Sequence, residues 1–218
     1  MPIKEIQNAQ EELELAARDF SILTCPFVGT TALTTLEDPT TGDLEVPDYY
    51  IATGLHTKED GVSLGQNIEM VQIRSHGFGE PTREWANQRE ITLGVVPQET
   101  NRGNLEKYWG ADFSDVVPSA HGGVVMVLPS LPLNLRYRTI ALGWDDFEGE
   151  DIYIYWLINK ATISNRDNTQ AVDNNVLRWP YTYTAKYDKT VGSPAKFGIC
   201  GPGFQLLQTV ADTGFNAS

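Results

Sequence analysis

A chain of 218 residues is long enough to bury a core without disulfide staples. Twenty-nine acidic against sixteen basic side chains leave a net charge of −13, which excludes the counterion release that carries proteins onto nucleic acid. No run reaches the roughly 20 apolar residues of a membrane span, and the acidic start is unlike a secretory leader, so neither membrane insertion nor Sec-type export is expected.

Residues 1–20 place Ile3, Ile6, Leu13 and Ala16 among Glu5, Glu11, Glu12 and Glu14, the pattern of a weakly amphipathic helix or a mobile arm. Ser21–Phe27 reads as a short strand. Thr34–Asp48, rich in Thr, Asp, Gly and Pro, reads as a long exposed loop. Tyr49–Thr53, Ile68–Ile73, Ile91–Val96, Val124–Leu128, Arg136–Trp144, Ile152–Ile163 and Val176–Tyr187 are β-branched or aromatic runs between Gly, Asn and Asp clusters, and each is expected as a strand. Between them, Thr100 or Asn101 can cap a helix. Leu105, Tyr108 and Trp109 form its packing face and Gly110 its left-handed end. Trp144–Tyr153 is expected as a hairpin with Asp145, Asp146, Glu148, Glu150 and Asp151 at its tip. The tail, residues 205–218, lacks a core pattern and is expected to be mobile. The sum is a mainly β (α+β) domain over residues 21–204, a two-sheet β-sandwich or barrel with one flanking helix, between terminal arms.

Catalytic signatures are missing. There is no Gly-x-Ser-x-Gly elbow. His56, His76 and His121 are far apart and read as solvated loop residues, and Cys25 and Cys200 as reduced, buried thiols. His76-Gly77-Phe78-Gly79 and Gly201-Pro202-Gly203 lack the Lys and the strand-to-helix context of a phosphate loop and read as turns. The acidic hairpin lacks the order of a calcium-binding loop and reads as a solvated turn or as a docking loop that contacts a neighbouring subunit. Trp85, Trp109, Trp144, Trp156 and Trp179 are spread over separate elements and form no single sugar-binding platform. The expectation is a protein without enzymatic activity, metal or cofactor, working through its surfaces. Two readings from other classes are a sugar- or partner-binding β-sandwich module of a virion, and a Ca²⁺-dependent enzyme built on the hairpin.

Glu59-Asp60-Gly61-Val62, Ile73–Arg83 and Gln98-Glu99-Thr100-Asn101 leading into Leu105-Glu106, then Tyr137-Arg138, Ala141-Leu142, Ile152-Tyr153, Ala161-Thr162-Ile163 and Phe197–Phe204, keep an order that resembles the major tail tube protein of long-tailed phages infecting actinobacteria. The resemblance spans roughly Ser21–Phe204. It departs at His76, where a tryptophan is usual, at Pro97, and in residues 1–20. It implies a β-sandwich with a flanking helix, six copies per ring, one sheet of each copy joining an inter-subunit barrel, and rings stacked into a conduit for DNA ejection. The implied partners are other copies of the chain and the tape measure, tail tip and tail terminator proteins. DNA would pass without tight binding, in the virion, after assembly in the host cytoplasm. A tail terminator or a secretion-tube subunit is a related alternative. Strand alternation sets Glu90 and Thr92 opposite Ile91, Leu93 and Val95. Glu90, and by the same reasoning Glu69, are therefore candidates for the lumen-facing side, with the outer surface as the equal alternative.

Overall fold

A computed structural model describes residues 9–57, 62–171, 173 and 176–215. Its strands are β1 (Asp19–Pro26), β2 (Ile51–Ala52), β3 (Ser63–Ile73), β4 (Arg83–Val95), β5 (Arg136–Phe147), β6 (Glu150–Arg166), β7 (Tyr181–Ala185) and β8 (Lys196–Cys200), with helices α1 (Arg102–Trp109) and α2 (Pro202–Val210) and a 3₁₀ turn at Glu11–Leu13. The fold is mainly β, as the β-branched runs imply. All eight strands hydrogen-bond into one antiparallel sheet in the order β2-β1-β5-β6-β7-β4-β3, and β8 joins β6 off that path.

The 17-residue β6 organises the rest. One edge pairs with β5 along nearly its whole length. The other is shared, β8 taking Tyr153–Leu157 and β7 taking Ala161–Arg166. Its alternation covers two faces: Ile154 and Ile158 pack with the clusters that hold Leu93, Tyr183 and Leu207, while Tyr155 and Leu157 pack with Leu36, Tyr50 and Ile140.

Several expected elements take another form. Thr34–Asp48 has no strands, but Leu36 is buried in the core and Tyr50 beside it. The buried Asn159 clips the approach to this loop, accepting from the Leu33 amide (2.8 Å) and donating to the Leu33 carbonyl (2.7 Å). Val124–Leu128 is irregular and exposed, because a β-branched run becomes a strand only where an edge is available to it. Val176–Tyr187 shortens to β7. Gly201-Pro202-Gly203, expected as a turn, begins α2, with Gly201 at the cap and Pro202 in the first turn, where the missing N–H costs nothing. Gly203 has no room for a side chain, since a Cβ there would press on the Glu150 carbonyl. Leu207, in the expected tail, is fully buried against Ile152 and Ile154, where Leu13 and Leu15 also pack.

Candidate assembly surface

β3 and β4 pair from Ser63↔Gly94 out to Ile73↔Arg83. Only Thr92–Val95 of β4 pairs with β7. Beyond that junction the hairpin leaves the sheet as a two-stranded ribbon, with no described strand on either outer edge from Arg83 to Ile91 or along β3. Its turn closes through Thr82 N to the Ile73 carbonyl (2.8 Å) and the Ser75 and Thr82 hydroxyls (3.0 Å), and it exposes Phe78.

The register sorts the ribbon into two faces. Leu64, Gln66, Ile68 and Met70 stand with Leu93, Ile91, Arg89 and Ala86, continuing the core face outward. Glu69 and Glu90 share the opposite face with Asn67, Gln88 and Thr92. A bulge between Glu69 and Met70 leaves Asn87 unmatched and sets Trp85 opposite Val71, so the glutamate face turns apolar toward the tip. Ile68, Met70, Ile73 and Trp85 are all exposed. Residues 63–95 hold four acidic and three basic side chains, so the excess negative charge lies elsewhere.

The acidic hairpin is not one solvated cluster. Only the tip, Glu148 at φ 53° and Gly149 at φ 86°, is a tight two-residue turn, with Glu148 and Glu150 exposed. Asp145 is buried and accepts from the Ala16 amide (2.7 Å) and Arg18 Nε (2.9 Å). Arg18 also pairs with Asp146, and Asp151 accepts from Trp144 Nε1 and the Tyr153 hydroxyl, both at 2.9 Å. These carboxylates hold the incoming N-terminal segment and the neighbouring aromatics. Among the described residues no group of three His, Cys, Asp or Glu side chains converges on a metal-sized site.

Helix α1 caps as the sequence implies. Asn101 Oδ1 accepts the Asn104 amide at 2.9 Å and Gly110 takes φ 63°. Leu105 and Tyr108 enter the core, Tyr108 edge-on to Trp179 at 5.2 Å. Trp109 stays exposed, touching Tyr108 alone among the ring pairs of the described residues. The fully buried Asn104, which no pattern flagged, donates to the carbonyls of Thr53 (2.9 Å) and Glu99 (3.0 Å) and ties the helix to the β2 loop. Burial drives Lys107 down to about 8 against the opposing pull of Glu106. His56 is not a solvated loop histidine: its Nε2 meets the Thr53 hydroxyl at 2.9 Å, and burial lowers its pKa. His76 and His121 are exposed.

Beneath the sheet lies a buried ion pair that motif reading also passed over. Arg138 Nη1 meets Asp188 Oδ2 at 3.2 Å and the Asn159 carbonyl at 2.7 Å. Its other nitrogens reach the Thr30 hydroxyl and carbonyl, and its plane lies 4.5 Å from the Phe27 ring centre. Burial would raise the Asp188 pKa, but the Thr190 amide and Arg138 outweigh it and hold the carboxyl below its usual range. Cys25 and Cys200 are buried free thiols, pushed upward by desolvation, Cys200 to about 11.

Of the expected site residues, the structure therefore brings Glu69 and Glu90 to one face of the ribbon, and Leu105 and Tyr108 to the core. It divides the acidic hairpin between structural contacts and an exposed tip. Glu59, Asp60 and Gly61 lie outside the described residues. No helix among the described residues is long and apolar enough to cross a membrane. No family model matches the chain, and no curated protein matches it. Among solved structures, one chain of the anti-feeding prophage baseplate, 6-fold symmetrised, is similar at TM-score 0.43 and 12% identity, over 85% of this chain and 94% of that one.

Proposed function

We propose that the protein is a structural subunit of a virion and, more finely, the major tail tube subunit of a long-tailed phage, forming stacked hexameric rings around the path of the DNA. The observation that carries this reading is the ribbon. A two-stranded hairpin is marginal in water by itself, and this one projects from its sheet with both edges open and apolar side chains exposed on both faces. Open edges of this length invite pairing with another chain. Pairing around a ring closes the sheet into a barrel with no edges left.

The face that continues the core packs against the body of the ring, leaving Glu69, Glu90, Asn67 and Gln88 toward the lumen. A wall of carboxylates and amides has no affinity for phosphate, as a conduit requires. The near neutrality of residues 63–95 lets six chains of −13 approach through the one region where repulsion is weak. The ordered motifs of the sequence support the same reading, which assigns the protein no catalytic step and no cofactor.

Electron microscopy of the purified protein across a concentration series tests it. Rings or hollow filaments are expected. A species that stays monomeric at the highest concentration, with and without tail-tip initiators, overturns it.

A further inference from the structure

Between Gly122 and Leu135 the chain runs for fourteen residues without a charged side chain, in a protein of net charge −13. The stretch is tied at its start by Ser119 N to the Gly123 carbonyl (2.8 Å) and near its end by Leu133 N to the Gly110 carbonyl (2.7 Å). Residues 124–130 make no backbone hydrogen bond among the described residues. Val125 is 87% exposed and Val127 84%. These alternate side chains would lie on one face of a strand, while Met126 turns inward against the core. The segment has the composition of a strand and lacks only an edge.

The same chain offers such an edge. β8, five residues long, pairs with β6 on one side and with no described strand on the other. Beside that free edge runs a groove lined by Leu64, Arg89, Ile91, Trp156, Lys196 and Phe197. Phe197 is exposed and meets Trp156 at 5.1 Å between ring centres. The two cations at the groove, Arg89 and Lys196, form no ion pair among the described residues, and the approaching body is strongly acidic.

We infer that Val124–Leu128 of one copy adds as a strand to the free edge of β8 in a second copy, with Val125 and Val127 covering Phe197 and the groove. Main-chain hydrogen bonds supply the affinity and the alternate valines the register. An uncharged strand enters without desolvating a charge, and the rim cations draw in the rest of the acidic partner. The inference rests on self-assembly as proposed above; it uses the free edge of β8 and the ribbon face beside it, Leu64, Arg89 and Ile91, but not the open strand edges of the ribbon.

Site-specific crosslinking in assembled protein tests it. Chains carrying Val125→Cys are mixed with chains carrying Phe197→Cys, and Val127→Cys with Phe197→Cys as a second register, then assembled and mildly oxidised; the native thiols are buried. At least one mixture should give a heterodimer absent from each variant alone. Val125→Asp with Val127→Asp should leave the circular dichroism spectrum and melting temperature of the subunit unchanged, since both side chains are exposed, while raising the concentration needed for assembly about tenfold or more. Assemblies that form with neither crosslink overturn this inference and leave the tube reading standing. So does a crosslink formed within a single diluted chain carrying both cysteines. A wild-type protein that never assembles overturns both.

Discussion

Arg138 and Asp188 show what a single buried contact commits the protein to. Removing one member of such a pair strands the other charge in the interior, so Arg138→Met should cost about 3–5 kcal/mol, read as a fall in the urea midpoint at neutral pH. The pH dependence follows from the depressed Asp188 pKa. The pair's contribution is complete above the unfolded carboxyl value near 4, and is lost as pH falls through the lower folded value. Urea midpoints between pH 7 and pH 3 should therefore drop on the acid side in the parent and flatten in Arg138→Met. An equally steep acid loss in both proteins would place the effect elsewhere. Arg138 lies in one of the ordered motifs, but nothing in the sequence paired it with Asp188, because the two are fifty positions apart and their meeting depends on β5 reaching the β7–β8 connection. Asp145 was visible as part of an acidic run, but its burial was not, since that depends on Arg18 and Ala16 arriving from 129 and fewer positions away.

At the scale of the element, β7 puts Tyr181 and Tyr183 fully inside the core, edge-on at 5.3 Å. Desolvation raises both above the ordinary tyrosine value, as it does Tyr50, and takes Tyr137 to about 12. A raised folded pKa protects stability below the unfolded value near 10 and forfeits it as pH climbs beyond. Alkaline unfolding should thus begin near pH 10, with tyrosinate absorbance rising in the same transition. Ionisation of most of the nine tyrosines well before loss of the near-ultraviolet dichroism would contradict this; the exposed Tyr49 and Tyr187 do not count toward it. Elements whose signals are local were legible: the Asn101 cap and Gly110 end of α1, and the alternation that places Leu93 and Val95 inside. Those that depend on a partner were not. The Val124–Leu128 run has strand chemistry and no strand beside it. β3 and β4 extend past their apolar runs because each supplies the other's hydrogen bonds.

For the whole molecule, the distribution of charge matters more than its sum. Glu69 and Glu90 lie on the ribbon face that the tube reading turns inward. A lysine at either position would place one cation per subunit on every ring, and contacts with passing phosphates weaken with salt at a log–log slope of about −0.9 per phosphate on duplex DNA. Glu69→Lys or Glu90→Lys should permit assembly and slow DNA ejection more at low than at high ionic strength, while Glu148→Lys on the hairpin tip should not. Ejection rates from mutant virions would settle it, and no change for either ribbon variant would remove the repulsive-wall argument. Composition and strand chemistry made the mainly β class readable from the chain. The single branched sheet was not, because one edge of β6 serves two partners and no local pattern encodes that sharing.

The ribbon joins the sheet through only four residue pairs, Thr92–Val95 with Tyr181–Thr184, while eight residues of β3 reach beyond them, about 26 Å at 3.3 Å per residue. Mechanically this is a long lever on a short root. A transverse load at Phe78 is concentrated at that root, where Gly65 and Gly94 carry no side chains of their own and the Thr92 and Ser63 hydroxyls lie against them. A flexing cylinder built from such levers would take up curvature at their roots, and its staves would tilt before the globular bodies deformed.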